Sequence, residues 1–481
     1  MALAACRRPA ALAALGALFW GTGCATNPVT GETELALISE QQEIQLGQQT
    51  AQQVAASIGL VQDDALQAYV QRVGETLARA SERPRLPWTF RVVDDPTPNA
   101  FALPGGYIFL TRGMLALMDS EAELAAVLGH EIGHVTARHS VNQISRAQLA
   151  QIGLGIGGIL VPELQQFGGL ASAGLQLLFL KYGRDDERQA DELGFAYAGN
   201  AGYDLREMDD VFASLQRIGE REGRSGLPTW LSSHPAPAER IEAIRQRLAE
   251  TQRAPDARLA RADYLEEIEG LVYGENPRNG FFEGSTFLHP DLRFRLEFPR
   301  GWPTQNMAQA VVAGSPGQDA LLQLTLAEAT SADAAARAFF GQQGVRAGAT
   351  SRASIGGLPA VAGEFQAQTQ QGVLQGIVAF IEHGGRTYQL MGYAPAQVYP
   401  RYASVFEQTL RSFRTLNDPG ALAVEPDRLE IVRIERAMTL AEFDRRYPSA
   451  VPIEELAIIN QVGDPGATLA AATLVKRVTE G

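Results

Sequence analysis

Two histidines four residues apart on an apolar helix must project from one face, whatever the rest of the chain does. The stretch from Ser120 to His139 predicts such a helix. Asp119 and Ser120 open it, Leu124, Val127, Leu128, Ile132 and Val135 recur at helical spacing, and His130-Glu-Ile-Gly-His134 stands near its end. Two neutral imidazoles so placed bind one Zn²⁺, with Glu131 on the same rim. The fold therefore has to bring further ligands to this helix. Both cysteines, Cys6 and Cys24, lie near the start of the chain. A cysteine-rich metal module or a disulfide framework in the body is thereby excluded, and the ligands must be histidines and carboxylates.

Catalytic zinc usually holds three protein ligands and keeps a fourth position for water. Glu187-Arg-Gln-Ala-Asp191 offers two carboxylates at i, i+4 on a second predicted helix. One can ligate while the other orients a ligand imidazole from behind. His234 lies in a Ser-Ser-His-Pro loop before a helix, as an active-site residue or as a cap. His139 reads as a helix-end or packing residue, and His289 and His383 read as exposed loop residues.

Residues 1–23 have the charged start, short apolar middle and small-residue end of an export signal. Cys24 follows directly and resembles the lipidated cysteine of bacterial lipoproteins. Plain cleavage leaving a free Cys24 is the alternative. The expected location is the bacterial envelope: periplasmic and lipid-anchored to the outer membrane.

Further along, two helices are predicted between Ser39 and Ser81, then a small sheet over 88–110 with a turn at Gly105-Gly106. Ala102–Leu110 is the candidate edge for an extended substrate, through Ala102, Gly105, Gly106, Tyr107, Ile108 and Phe109; ordinary core sheet is the alternative. Residues 147–180 are nearly uncharged and divided at Pro162-Glu163 into runs shorter than the roughly 20 residues of a membrane span. They read as buried or interfacial hairpin helices, with a true span as the other option.

The motifs carry a family resemblance. His130-Glu-Ile-Gly-His-Val-Thr-Ala-Arg-His139, Arg184-Asp-Asp-Glu-Arg-Gln-Ala-Asp-Glu-Leu-Gly194, Asn27-Pro-Val-Thr-Gly31, Asn99-Ala-Phe-Ala-Leu-Pro-Gly-Gly106 and Ser233-His-Pro235 together resemble metallopeptidase family 48. These are the gluzincins that include HtpX-like proteases, CaaX prenyl endopeptidases and BepA-like lipoprotein proteases. The resemblance covers about residues 25–250. It implies one Zn²⁺ per chain held by His130, His134 and Glu187, with Glu131 as general base and Asp191 behind the ligands. It also implies unfolded or misassembled envelope proteins as substrates. An envelope chaperone or wall-binding protein with a largely latent protease domain is the alternative. His234 then has two open roles, as an oxyanion donor or as a fourth ligand that keeps the enzyme latent.

The fold class expected is α+β, in several parts. A mainly helical zincin-type domain with a small sheet spans 24–255, and 256–276 is a linker helix. An α+β sandwich-like domain follows over 277–416, where Phe298-Pro-Arg-Gly-Trp-Pro303 resembles the opening of PsbP-like accessory domains. Residues 426–481 resemble a βααβ LysM module, serving either as a structural docking unit or as a binder of peptidoglycan. The balance of 41 Lys+Arg against 55 Asp+Glu gives a formal charge of -14, so nucleic acid is not an expected partner. Only Lys181 and Lys476 are lysines, which reads as a genome-composition signature.

Overall fold

The computed structural model describes residues 24–154, 181–219, 230–235, 238–251, 256–369 and 372–481. The leader expected over 1–23 and the apolar run from 155 to 180 lie outside them. Among the described residues no helix is long and apolar enough to cross a membrane.

The chain opens with a two-stranded hairpin, β1 (Cys24–Thr26) and β2 (Thr33–Leu35). Two helices follow, α1 (Glu40–Ser57) and α2 (Asp64–Ala78). Ser39 starts the first with a reciprocal capping box to Gln42, and Asp63 caps the second. The small sheet comprises β3 (Thr89–Val93), β4 (Ala100–Leu103) and β5 (Tyr107–Thr111). Its order is β3-β5-β4, with β5 parallel to β3 and antiparallel to β4. Gly105 and Gly106 turn the chain between β4 and β5 at φ +79° and +100°, which only glycine adopts without strain.

The next helices are α3 (Arg112–Leu117), α4 (Glu121–Thr136), α5 (His139–Leu154), α6 (Arg184–Asn200), α7 (Glu207–Gly219), α8 (Trp230–Ser233), α9 (Ala238–Glu250) and α10 (Arg261–Glu267). Every residue of α4 is buried. The run Leu-Ala-Ala-Val-Leu-Gly is apolar all round, so α4 behaves as a core helix and not as an amphipathic one. It packs against α2, α6, α7 and β4.

The middle of the chain is built on β6 (Phe281–Glu283), β7 (Thr286–His289), β8 (Phe294–Glu297), β9 (Thr304–Met307), β10 (Ala310–Gly314), β11 (Leu321–Leu326), β12 (Val345–Ile355), β13 (Leu358–Thr369), β14 (Gly372–His383), β15 (Arg386–Pro395) and β16 (Arg414–Thr415). Between them lie α11 (Ala332–Phe340) and α12 (Tyr399–Ser412). A seven-stranded antiparallel sheet runs β12-β13-β14-β15-β11-β10-β9, and a four-stranded one runs β16-β8-β7-β6. Strand alternation divides the core. Ala379 and Ile381 face the smaller sheet and α12, whereas Val378 and Phe380 face α11.

After α13 (Pro419–Leu422), the C-terminal segment contains β17 (Arg428–Arg433), β18 (Met438–Thr439), α14 (Leu440–Arg446), α15 (Ile453–Ile459), β19 (Thr468–Leu469) and β20 (Leu474–Thr479). β17 pairs antiparallel with β20 around the two helices. The hydrophobic cores do not follow the change of sequence pattern near residue 255. Tyr264, Leu265 and Ile268 beyond it, and Leu440, Phe443, Leu456 and Val475 of the C-terminal segment, share one cluster with Leu124 and Leu128 of α4.

What sets the site is the crossing of α4 and α6. A Cβ on Gly194 would lie 2.7 Å from the His130 backbone nitrogen, and one on Gly133 would lie 3.0 Å from the Ala190 backbone. The helices touch backbone to backbone because Gly129, Gly133 and Gly194 have no side chains. Gly194→Val is therefore expected to push them apart, at a cost of about 1–3 kcal/mol. Thermal denaturation should show the loss, and metal retention should fall with it. A variant of wild-type stability would mean that the contact is not needed.

Candidate metal centre

Helix α4 delivers His130, Glu131 and His134, and α6 delivers Glu187 and Asp191. The short α8 and the loop after it bring Trp230 and His234, and the first turn of α9 brings Arg240. One ligand atom from each of His130, His134, Glu187 and His234 falls within a 4.8 Å group, and all four residues are buried. The Nε2 atoms of His130 and His134 are 3.0 Å apart, and each lies 3.6 Å from a carboxylate oxygen of Glu187. His234 Nδ1 stands 3.0 Å from Glu187 Oε1 and 3.2 Å from His130 Nε2. Tetrahedral donors about 2.1 Å from a zinc ion are about 3.4 Å apart, so the donor set fits such an ion.

Hydrogen bonds behind the rings fix their tautomers. His130 Nδ1 donates to Asp191 Oδ1 at 2.9 Å, which leaves Nε2 a bare lone pair. His139 Nε2 donates to Gln189 Oε1 at 2.9 Å, so its Nδ1 accepts from His134 Nδ1 at 2.9 Å. The Nε2 of His134 is bare as well. Burial holds the His134 imidazole well below its usual range, reinforced by His130 and His234, and burial lowers His139 too. Two lone pairs thus face each other at 3.0 Å, an arrangement that a bound cation relieves.

Arg240 balances the carboxylates. Its Nε and Nη2 donate to the two oxygens of Asp191 at 2.6 and 2.7 Å, and Nη1 lies 2.5 Å from Glu187 Oε2. Nη1 also donates to the Pro235 carbonyl at 3.1 Å, tying the His234 loop to the same group. Burial would raise Asp191 and Glu187. Arg240 and His130 outweigh it at Asp191, and His234, His130 and Arg240 do so at Glu187, so both sit below the usual carboxylate range. At His234 burial works downward, but Glu131 and Glu187 overcome it and hold the imidazole above its usual value. Glu131 is fully buried; Oε1 accepts the Trp230 indole N–H at 2.8 Å, while Oε2 has no hydrogen-bond partner.

The structure brings His130, Glu131, His134, Glu187, Asp191 and His234 together, and it separates the expected substrate residues. Tyr107, Ile108 and Phe109 lie in β5, which is paired on both sides and cannot accept another strand. This corrects the expectation of an edge over Ala102–Leu110: the hairpin folds back into the sheet, so of its two strands only β4 is an edge, and all four residues of β4 are buried. Gly105 and Gly106 form the turn. Ala102 is the one expected residue on the edge strand. Because Thr111 N donates to Asn99 O, alternation turns the backbone groups of Ala100 and Ala102 away from β5.

The sequence reading passed over Trp230, Tyr182 and Arg240, and took His139 for packing. Tyr182 stacks on His134 at 3.9 Å between ring centres and shares a hydrogen bond with Ser140. An arginine six residues after His234, at the start of a helix, was the available signal for Arg240. His289 and His383 are half-buried at strand ends, not exposed in loops, and neither belongs to the metal-ligand group.

The family model described as peptidase family M48 matches residues 64–248. Mitochondrial metalloendopeptidase OMA1 of Schizosaccharomyces pombe is 31% identical over 253 residues, covering 50% of this chain and 72% of that protein. The chain belongs to peptidase family M48. The beta-barrel assembly-enhancing protease of Yersinia pestis is 31% identical over 248 residues, covering 50% of each chain. This chain therefore spans about half the length of such curated relatives. A solution structure of cyanobacterial PsbP from Synechocystis aligns over 28% of this chain and 95% of that one, at 14% identity and a TM-score of 0.24, which carries no conclusion about fold.

For an M48 domain with this site, Arg240→Ala should weaken metal retention by about 10–100-fold, because Asp191 and Glu187 lose their shared partner. Chelator competition followed by metal analysis measures it. Unchanged retention would show that the carboxylates hold their places unaided.

Proposed function

We propose that the chain is a zinc-dependent metalloendopeptidase that cleaves unfolded or misassembled proteins of the bacterial envelope. The observation that carries this reading is the pair of bare Nε2 lone pairs of His130 and His134 beside the Glu187 carboxylate, with Glu131 next to them. In this reading His130, His134 and Glu187 hold one Zn²⁺, and Asp191 orients His130. When bound, zinc supplies Lewis acidity, acidifying water and polarising a scissile carbonyl.

The other steps belong to the chain itself. Glu131 is held through Oε1 by Trp230 and keeps Oε2 free, so that oxygen takes the proton from the attacking water and later delivers it to the leaving amine. The side of β4 that faces away from β5 at Ala100 and Ala102, buried in this structure, is the candidate ground for pairing an extended peptide. The substrate class is supported by the Yersinia pestis relative, a beta-barrel assembly-enhancing protease. Export, lipidation at Cys24 with outer-membrane anchoring, the division at residues 255, 277 and 426, and a LysM-like glycan contact through 426–481 belong to the same proposal.

Glu131→Gln separates this reading from an envelope chaperone with a latent protease domain. It is expected to keep one zinc per chain while casein hydrolysis falls by at least about 100-fold, whereas a chaperone keeps its full phenotype. His130→Ala and Glu187→Ala should instead lose the metal, and stoichiometric zinc in both would sink the assignment.

His234 sits within reach of both candidate roles, 3.5 Å from Glu131 Oε1 and 3.0 Å from Glu187. Under either role His234→Ala retains zinc. Loss of an oxyanion donor should slow turnover on the order of 100-fold, whereas loss of a fourth ligand should raise basal cleavage. A variant with wild-type rate and wild-type zinc content would leave His234 with neither role.

A further inference from the structure

Lys476 is one of two lysines in a chain that otherwise carries arginine, and it is completely buried. It belongs to β20, but its ammonium leaves the C-terminal segment. Nζ donates to the carbonyls of Ala116, Leu117 and Met118 at 3.1, 3.4 and 2.8 Å, and lies 3.3 Å from Asp119 Oδ1. Those carbonyls end α3, and Asp119 directly precedes Ser120, the N-cap of α4. An ammonium has three donors on one compact charge and suits three converging carbonyls; a planar guanidinium does not.

The contacts around it repeat the pattern. Gln461 donates to Glu123 Oε2 at 2.9 Å, and the same oxygen accepts the Asp119 N–H at 2.6 Å. Arg261 binds Asp119 at 2.6 Å and the Leu474 carbonyl at 2.9 Å, while Arg217 reaches the Val462 carbonyl at 3.1 Å. Backbone bonds between Leu429 and both Gly270 and Leu271 join β17 to the chain beyond α10. Undocking would take the Lys476 ammonium away from Asp119 and Glu123 and would open the shared core.

We propose that residues 426–481 are a permanently docked brace of the metal-binding domain, with Lys476 as the positioning residue that sets the α3–α4 junction and so the metal-bearing helix. The brace is not a head that swings free of the protease, whatever else its surface contacts.

The scarcity of lysine supplies the test. The full-length protein is treated with an N-hydroxysuccinimide acetyl ester, and acetylation of Lys181 and Lys476 is followed by peptide mass spectrometry. Lys181 is exposed. An undocked Lys476 would meet the reagent as Lys181 does. Permanent docking predicts reaction at Lys476 at least about 100-fold slower than at Lys181, with the difference lost in denaturant; rates within about threefold of each other would overturn it.

The positioning role is read separately, by metal release to a chelator from Lys476→Met below its unfolding temperature. Release about 10-fold faster than wild type is expected, and an unchanged rate would overturn that role. Only this second readout rests on the metal assignment. The acetylation result stands if that assignment fails, and it remains decisive if Lys476→Met does not fold.

Discussion

The approach of α4 and α6 at Gly129, Gly133 and Gly194 governs the rest of the structure. Backbones in contact place residues of the two helices on a common rim, which is why His130 and His134 meet Glu187 and Asp191 inside the protein. An electrostatic requirement follows from this packing. Glu131, Glu187 and Asp191 are three buried carboxylates, and Arg240 is the one guanidinium among them. One guanidinium does not balance them, and the raised His234 imidazole offsets only part of the remainder. Buried charge without compensation is costly, so the site as folded favours a bound cation.

That requirement also orders the loops. Arg240 reaches Asp191 and Glu187 from the first turn of α9, and the same guanidinium holds the Pro235 carbonyl just after α8. His234 is thereby presented to Glu187 and His130 from outside the two helices. Trp230, one turn earlier, is held by its N–H to the Pro98 carbonyl and directs its indole at Glu131. Glu131 and His234 are thus both set by one short segment, and displacing it disturbs both.

What the sequence made legible is local. The His-Glu-x-x-His spacing, the i, i+4 carboxylates, the capped helix starts and the Gly-Gly turn each depend on neighbours within a few residues, and all of them lie where periodicity puts them. What it hid depends on which elements meet. Period-2 alternation marks Phe101–Leu110 as sheet, but it cannot say that β5 lies between β3 and β4, so the open edge was misassigned. His139 looked like a helix end because nothing nearby marks its bond to His134, which exists only once α5 begins beneath α4 and Gln189 arrives from α6. Arg240 and Lys476 were lost for a different reason. The meaning of each lies mainly in partners far along the chain: Asp191 is 49 residues from Arg240, and Met118 is 358 from Lys476.

Those long-range cations also explain how a helix buried on every side keeps its register. At the C-terminal end of α4, Arg83 donates to the Val135 carbonyl at 2.9 Å and pairs with Glu43, which Arg138 reaches from the helix exit. Glu43 also accepts the Gly105 N–H at 3.2 Å, joining the turn after β4 to the same network. At the N-terminal end, Lys476 and Arg261 hold Asp119. An apolar interface alone tolerates small slides of a helix along its axis, because Leu and Val contacts have no strong direction. Buried ion pairs with fixed geometry at both ends do not, even where they add little to overall stability. The edge strand β4 and the histidines of α4 are therefore referenced to one rigid frame, which the proposed reading of a peptide held beside Glu131 requires.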